Sequence, residues 1–503
     1  MTYTDATNVE IDQAVKQAAQ AFIPYKNLSL QARRDFMYAI AEALEADADR
    51  LVAIADKETR LGAARLKGEL TRTCWQLRSY TDAALAGHHL DVRIDSPDPA
   101  RKPAPKPGIR KMMVPIGPVV VFGSSNFPFA YSTAGGDTAC ALAAGCPVIV
   151  KAHPAHAETS EAVAQLIGQA GAKTGMPAGT FVHVHGASFE TGKALVSHPL
   201  VKAVGFTGST SGGKALFDIA AQRPEPIPVF SEMGSINPVF LLPGKLHEAA
   251  KDVAAQYAAS ITLSVGQFCT NPGLLVGITG PELDTFRTEL ASLLSMIPGA
   301  PMLHPGIAKA YAEKREKALT QPGVNTLAIG AGATAETPVG ATAGPVLPEG
   351  LPTLASTTAQ TFLSNPILHQ EVFGPYSILV ECTDAAEMRE VALHLEGQLT
   401  STLIATEEDC RQNPGLVEAV EQHCGRLILN GVPTGVEVVA AMQHGGPYPA
   451  TTDSRFTSVG ADGIRRFTRP QSYQNFPDSL LPDALKDANP LGIWRLVDNE
   501  WKK

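Results

Sequence analysis

The stretch VPIGPVVVFGSSNFPFAYSTAGGDTACALAAGCPVIVKA, residues 114–152, decides the fold class of this chain. The β-branched run at 114–123 is typical of a buried strand, the small apolar residues at 132–145 of a helix, and the run at 146–152 of a second strand. A strand, a helix and a strand in this order form a unit whose two strands are parallel. We therefore predict an α/β protein with a parallel sheet covered by helices.

The regions on either side extend this pattern. Strands and helices continue to alternate after residue 152, although less regularly in the second half of the chain, and apolar residues at helical spacing occupy residues 9–90. The proline-rich stretch 95–108 lies between two strand-like runs, and we predict an exposed arm or hairpin there because proline disfavours a buried strand. The low-complexity segment 329–345 is predicted to be a surface loop.

Composition excludes several classes of protein. The 44% hydrophobic and 18% charged residues are ordinary for a globular enzyme and argue against disorder. A net charge of -9 disfavours a nucleic-acid partner, which needs a basic surface. The chain has no signal-peptide pattern and no apolar run near the ~20 residues that span a bilayer, so we expect a cytoplasmic protein without a membrane segment. The seven scattered cysteines show no zinc-ligand spacing with each other or with histidine, and no metal site is predicted.

The segment GQFCTNPG, residues 266–273, places Cys269 in a polar turn after a helical stretch. A thiol in such a turn is accessible to a substrate and could act as a nucleophile. A buried cysteine in a helix–strand connection is the alternative.

Two further polar residues follow apolar strands. Glu232, in PVFSEMGSINPVF, stands at a strand end beside small residues, where α/β enzymes place their working groups. We expect burial to raise its pKa and make it a general base, whereas a solvated glutamate or a helix cap is the alternative. Asn126, in SSNFPFA, could donate from its amide to an oxyanion, or could simply form a turn before Pro128.

A glycine-rich turn, GFTGSTSGGK at residues 205–214, ends a strand and opens a helix. Small residues at Gly208 and Ser209 let a diphosphate approach the helix N-terminus, where the dipole favours anions. The turn matches neither of the usual nucleotide-binding glycine motifs, so it is weak support by itself.

Taken together, these segments resemble the aldehyde dehydrogenase superfamily over nearly the whole chain. The motifs that match, in the order of the family, are SSNFP, VKAHP, GFTGS, SEMGSINP, GQFCT and EVFGP. The resemblance implies a Rossmann-type cofactor domain, an α/β catalytic domain and an oligomerisation arm. We assign residues 1–90 and 114–234 to the NAD(P)-binding domain, 235–440 to the catalytic domain, and 91–113 and 441–503 to the arm and C-terminal tail.

The resemblance also implies a role for each motif residue. Cys269 would be the nucleophile that forms a thioester, Asn126 would hold the oxyanion, and Glu232 would activate the hydrolytic water. In the cofactor site, Lys151 would bind the adenosine ribose and Gly208 and Ser209 the diphosphate. Glu371 would bind the nicotinamide ribose, and Phe373 would pack near the nicotinamide ring.

The resemblance also bears on the cofactor. Many NAD-preferring relatives have an acidic residue three positions after the lysine, where this chain has Pro154. A carboxylate there would repel a 2'-phosphate, so we expect NADP+, with NAD+ possible. His153 and His156 lie nearby in sequence and could assist.

The tail segments 434–460, 465–475 and 487–501 resemble the 2-oxoglutarate semialdehyde (2,5-dioxopentanoate) dehydrogenases and a bacterial NADP-dependent long-chain aldehyde dehydrogenase. The first implies oxidation of the semialdehyde to 2-oxoglutarate in pentose, sugar-acid or hydroxyproline catabolism. The second implies a medium- or long-chain aliphatic aldehyde. Arg455 is the predicted partner of a distal carboxylate, with an exposed loop arginine as its alternative.

Other activities are open at this stage. An esterase could use the same cysteine, glutamate and asparagine, but Lys151 and Glu371 argue against it. A coenzyme A-dependent dehydrogenase is disfavoured because Glu232 would activate water, and a non-catalytic binding protein because Cys269 and Glu232 are both present. We expect a homo-oligomer, with a dimer favoured, because arms of this type add a strand to a neighbouring subunit.

Overall fold

The computed structural model describes residues 3–332 and 349–503 of the chain. The α-helices are, in chain order, α1 (Asn8–Lys26), α2 (Leu30–Ala46), α3 (Ala48–Thr59), α4 (Ala63–Leu85), α5 (Gly136–Ala144), α6 (Ala157–Lys173), α7 (Phe189–Ser197), α8 (Thr210–Ala221), α9 (Pro243–Thr262), α10 (Pro281–Met296), α11 (Pro305–Leu319), α12 (Ala359–Ser364), α13 (Ala385–Leu393), α14 (Glu407–Gln412) and α15 (Pro414–Glu421).

The β-strands are β1 (Arg93–Asp95), β2 (Ile109–Pro115), β3 (Val119–Phe122), β4 (Val148–Lys151), β5 (Phe181–Val184), β6 (Ala203–Thr207), β7 (Val229–Glu232), β8 (Val239–Leu241), β9 (Leu274–Ile278), β10 (Ala300–Pro301), β11 (Asn325–Ile329), β12 (Glu349–Gly350), β13 (Thr353–Thr358), β14 (Tyr376–Cys382), β15 (Gln398–Ile404), β16 (Cys424–Leu429), β17 (Thr468–Gln474), β18 (Arg495–Val497) and β19 (Glu500–Lys502).

The first sheet has the order β5-β4-β3-β6-β7, and its neighbouring strands are all parallel. The stretch quoted above forms β3, α5 and β4, so the predicted strand–helix–strand unit is confirmed. The strand order reverses between β3 and β6. Ligands of open parallel sheets bind at such a switch point, beyond the carboxyl ends of the strands.

The second sheet has the order β11-β13-β14-β9-β8-β15-β16. Its strands are parallel except for β11, which pairs antiparallel with β13. Only residues 233–238 connect β7 of the first sheet to β8 of the second. Residues at this connection therefore lie between the two sheets.

A third sheet, the arm sheet, has the order β17-β2-β1-β18-β19. Within it β1 and β2 are antiparallel, and Asp98 bridges to Lys106 across the intervening residues. The proline-rich stretch is thus a hairpin whose tip is exposed, as predicted. The predicted loop at 329–345 lies almost wholly outside the described residues.

Apolar burial follows from the α/β layering. One face of the first sheet packs on α2, α4 and α6 and the other on α1, α7 and α8, with separate buried clusters on each side. The second sheet has its own clusters on its two faces. Among the described residues, no helix is both long and apolar enough to cross a membrane. Mixed α/β content with parallel sheets confirms the predicted fold class.

Candidate active site

A cavity of about 230 Å³ lies where the carboxyl ends of β3, β6 and β7 face the second sheet. Its lining is formed by Ser124, Ser125, Asn126, Thr207, Gly208, Ser209, Glu232, Met233, Gly234, Cys269, Ile307, Ala310, Tyr311, Lys314, Glu371 and Phe373. The structure therefore brings together around one space all the predicted catalytic residues and all the predicted cofactor residues except Lys151.

Glu232 is the last residue of β7 and is 3% exposed. Ser458 Oγ donates a hydrogen bond to its Oε2, and Oε1 lies 2.9 Å from Nε2 of His444. Both partners come from the loop after β16. His444 and Ser458, which belong to the segment predicted to form the arm and C-terminal tail, thus close over this carboxylate.

Cys269 lies in the turn between α9 and β9, and the connection 233–238 holds this turn in place. The side-chain amide of Asn237 donates to the backbone oxygens of Cys269 and Asn271, each at 2.9 Å. On the other side of the turn, Gly266 has φ +63°, and a Cβ there would lie 2.3 Å from the carbonyl carbon of Gly374. Glycine is needed at this position because two backbone segments meet there.

His444 is the principal residue that sequence reasoning missed. It is fully buried, and its Nε2 lies 3.6 Å from Cys269 Sγ as well as 2.9 Å from Glu232 Oε1. Its backbone N–H donates to Thr457 Oγ1 at 2.9 Å, which fixes the loop. Within the part of the chain that the structure describes, Nδ1 of His444 has no hydrogen-bond partner. The same ring nitrogen thus lies close to both the thiol and the carboxylate.

The surroundings shift the pKa values of the Cys269 thiol and the Glu232 carboxylate in opposite directions. Burial raises the pKa of Cys269 well above its ordinary value, and the nearby charge of Glu232 raises it further. Burial alone raises the pKa of Glu232, but the charge of a protonated His444 and the contacts from Ser458 and Cys269 outweigh it, so the pKa lies below its usual range. The expected rise in the pKa of Glu232 is therefore wrong, because sequence gave no sign of these partners.

Asn126 is buried just after β3, and its side-chain amide donates to the backbone oxygen of Gln267 at 3.0 Å. An amide carries two N–H donors, so this bond leaves one of them for another acceptor. The turn that holds Asn126 is fixed from α4, where Arg65 donates to its backbone oxygen and Glu69 accepts from the N–H groups of Phe129 and Ala130.

The part of the cavity that is lined by Gly208, Ser209 and Glu371, here called the cofactor groove, has features that suit a dinucleotide. Ser209 caps α8 through the N–H of Gly212, so an exposed helix N-terminus suited to a diphosphate faces the groove. At Gly234 a Cβ would lie 2.6 Å from Glu371 Oε2, so backbone and carboxylate are closely packed there. Glu371 carries a carboxyl group of the kind that binds a ribose diol, and burial raises its pKa.

Lys151 lies outside the cavity lining, at the carboxyl end of β4, opposite Phe122 of β3 and Val184 of β5. It stands one strand beyond β3, on the side away from Glu232. Burial lowers its pKa, and Asp5 opposes that shift. This position suits the far end of an extended dinucleotide.

Arg455 is also outside the lining. Its side chain is 79% exposed and forms an ion pair with Asp453, and its guanidinium stacks over Phe456. Arg72 does not line the cavity either, but its charge acts on the thiol. Its charge lowers the pKa of Cys269, its Nη2 lies 3.2 Å from Tyr131 OH, and its buried Nε has no hydrogen-bond partner among the described residues.

The chain is similar to aldehyde dehydrogenases over nearly its whole length. The model of the "Aldehyde dehydrogenase family" matches residues 1–472. Alpha-ketoglutaric semialdehyde dehydrogenase 2 of Azospirillum brasilense is 50% identical over 495 residues, covering 98% of this chain and 92% of that protein. The alpha-ketoglutaric semialdehyde dehydrogenase of Acinetobacter baylyi is 44% identical over 497 residues, covering 99% and 92%. Methylmalonate-semialdehyde dehydrogenase of Oceanimonas doudoroffii is 20% identical, and its crystal structure matches with a TM-score of 0.76 over 94% of this chain and 92% of that one.

Proposed function

The chain belongs to the aldehyde dehydrogenase family, and from that membership we propose that it oxidises 2-oxoglutarate semialdehyde to 2-oxoglutarate with NADP+. The observation that carries the proposal is the cavity in which Cys269, Glu232 and Asn126 meet the cofactor groove. The two semialdehyde dehydrogenases, similar over nearly their whole length, support this substrate over an aliphatic aldehyde. A role in sugar-acid, pentose or hydroxyproline catabolism belongs to the same proposal.

The first step needs a base because the Cys269 thiol is protonated at neutral pH. Nε2 of His444 lies 3.6 Å from Sγ, and in its neutral form this imidazole would accept the thiol proton as sulfur bonds to the aldehyde carbon. The imidazolium that forms is 2.9 Å from the Glu232 carboxylate, which stabilises its charge. The second amide N–H of Asn126 donates to the oxygen that becomes negative.

NADP+, which Lys151, Ser209 and Glu371 would hold, would supply the acceptor for the hydride that the substrate carbon loses as the adduct on Cys269 becomes a thioester. Glu232 then takes a proton from water, and the hydroxide attacks the thioester carbon. The carbon–sulfur bond breaks, and His444 returns its proton to the leaving sulfur. Water is therefore the acyl acceptor, rather than coenzyme A.

The residues around Lys151 support NADP+ with NAD+ as an alternative. Pro154 begins a short 3-10 turn and carries no charge, so the repulsion that an acidic residue would exert on a 2'-phosphate is absent. Burial lowers the pKa of His153 and of His156, so both are neutral at pH 7 and act at most as hydrogen-bond partners. Lys151 is then the positively charged residue nearest to Pro154 in sequence.

The distal carboxylate of the substrate needs a cation. We propose Arg72 for this role in place of Arg455, because Arg72 contacts Tyr131, whose ring lies 6.3 Å from that of His444, and has an unsatisfied buried N–H. An arginine that holds a carboxylate contributes to substrate affinity and discriminates against aldehydes that lack one.

The test is the rate of NADPH formation with 2-oxoglutarate semialdehyde and with hexanal. We expect kcat/KM to favour the semialdehyde by at least about 100-fold. Cys269→Ala should abolish the activity with both. A preference for hexanal would replace the proposed substrate with the aliphatic alternative, and activity in Cys269→Ala would remove the thioester mechanism.

A matched pair of variants tests the carboxylate partner. Arg72→Met should raise KM for the semialdehyde about 10–100-fold and leave hexanal oxidation largely unchanged, whereas Arg455→Met should alter neither. If Arg455→Met raises the KM for the semialdehyde and Arg72→Met does not, Arg455 is the partner of the distal carboxylate.

A further inference from the structure

A cluster of metal-binding side chains lies on the first sheet, away from the cavity. His183 lies on β5 and His185 lies just beyond its end. Residues two apart on an extended segment point to the same face. Glu161, on α6, packs against that face. We propose that Glu161, His183 and His185 bind a divalent transition metal of the zinc class.

The distances suit a tetrahedral ion. His185 Nε2 is 2.9 Å and His183 Nδ1 is 3.4 Å from the same oxygen of Glu161, and the three ligand atoms lie within 4.8 Å of one another. Zinc bonds of about 2.0–2.2 Å in a tetrahedron place ligand atoms about 3.3 Å apart, so small rotamer adjustments would admit the ion.

The surroundings orient His183 for this role. Its other nitrogen, Nε2, lies 2.8 Å from Ser160 Oγ, and Ser160 Oγ lies 2.6 Å from Thr133 Oγ1. Metal-bound histidines usually have such a partner on the second ring nitrogen, because it fixes the ring and the tautomer. In the tautomer that donates from Nε2 to Ser160 Oγ, Nδ1 has the lone pair that a metal ion needs.

The site is open on one side. The side chains of His183, His185 and Glu161 are 9%, 18% and 34% exposed, and the ring of Tyr3 stacks on His185 at 4.1 Å. Solvent can reach the cluster past Glu161, so water can complete the coordination shell. A bound ion would join β5 to α6, next to the strand that carries Lys151. The proposal departs from the sequence-based expectation that the chain has no metal site.

The test measures Zn²⁺ binding by calorimetry and Co²⁺ binding by visible absorption, in chelator-treated Cys269→Ala protein. That background is needed because Cys269, Glu232 and His444 also lie within 4.8 Å of one another. We expect one ion per chain and the intense visible bands of four-coordinate Co²⁺. His185→Ala and Glu161→Gln should each weaken binding by at least about 100-fold, and Ser160→Ala by about 10-fold.

Glu161→Gln keeps an oxygen that can accept from His185, so its loss of binding would not reflect misfolding, and circular dichroism of the metal-free variants checks this. His394→Ala is the matched control, since His394 Nδ1 lies 3.5 Å from the carboxylate and 2.9 Å from the backbone oxygen of Glu390, outside the proposed cluster. The proposal is overturned if the Cys269→Ala protein binds no Zn²⁺, or if the His185 and Glu161 variants bind it as tightly as their parent does.

Discussion

The state of the Cys269 thiol depends on two neighbours that oppose each other. Glu232 destabilises the thiolate by charge, whereas His444 offers a proton acceptor 3.6 Å from the sulfur. The chemistry of the thiol is therefore a property of the trio rather than of the cysteine alone.

The pH dependence of Cys269 alkylation by iodoacetamide tests this balance. Because the pKa of Cys269 is raised, the alkylation rate of the wild type should reach half its maximum at a higher pH than the rate of an ordinary thiol does. Glu232→Gln removes the negative charge and should lower that midpoint by about one pH unit or more. His444→Gln removes the proton acceptor and should slow alkylation at pH 7 without lowering the midpoint.

Cys269→Ala measures labelling at the other cysteines and is subtracted. A midpoint that does not fall in Glu232→Gln would mean that the carboxylate does not act on the thiol.

At this scale the sequence revealed motif residues but not their partners. Cys269, Glu232 and Asn126 stand in motifs with polar or small neighbours, and the structure brings all three to one cavity. His444 lies in QHGGPYP, 175 residues after Cys269, and no local pattern connects the two. Only the tertiary fold brings this histidine to the thiol.

Among the elements, the connection 233–238 does most to position the site. Asn237, in a left-handed conformation with φ +47°, donates to two backbone oxygens of the cysteine turn. Its own oxygen accepts from Ser235 Oγ and Thr400 Oγ1, each at 3.0 Å. One side chain thus ties the cysteine turn to the connection and to β15 of the second sheet.

Asn237→Ala should lower the free energy of unfolding by about 2–4 kcal/mol, because it leaves buried groups unpaired and places alanine at positive φ. It should also reduce kcat strongly, since the cysteine turn loses its support. Thermal denaturation and steady-state kinetics measure the two effects.

Asn430→Ala is the matched control. Asn430 has φ +53° and a side chain that bonds both backbone groups of Ala405, but it does not touch the cysteine turn. It should lose stability and keep its kcat. Equal loss of kcat in both variants would mean that the connection has no special role in the site.

The helices and strands were predictable where apolar residues recur at regular spacing. The helices before residue 90, the strands of the first sheet and the arm hairpin follow from periodicity and proline content. Strand β15, QLTSTLI, was missed because its interior is polar. All of it is buried, and Gln398 is satisfied only in the fold, where it accepts from the backbone N–H groups of Ile236 and Asn237.

For the whole molecule, the arm sheet and the outer edge of the second sheet carry exposed apolar side chains. Leu429 on β16 is 55% exposed and Trp501 on β19 is 61% exposed, and both strands stand at the edge of their sheet. Unpaired strand edges accept another strand, so these edges are where the predicted homodimer would form.

We therefore expect light scattering after gel filtration to give twice the mass of one chain for the wild type. Leu429→Lys and Trp501→Lys should shift the protein towards the monomer, because each places a charge on an apolar contact at a strand edge. Met296→Lys is the matched control, since Met296 is equally apolar and 66% exposed but lies on α10. A monomeric wild type would make the predicted dimer wrong, and a dimer that both edge variants leave intact would place the interface elsewhere on the surface.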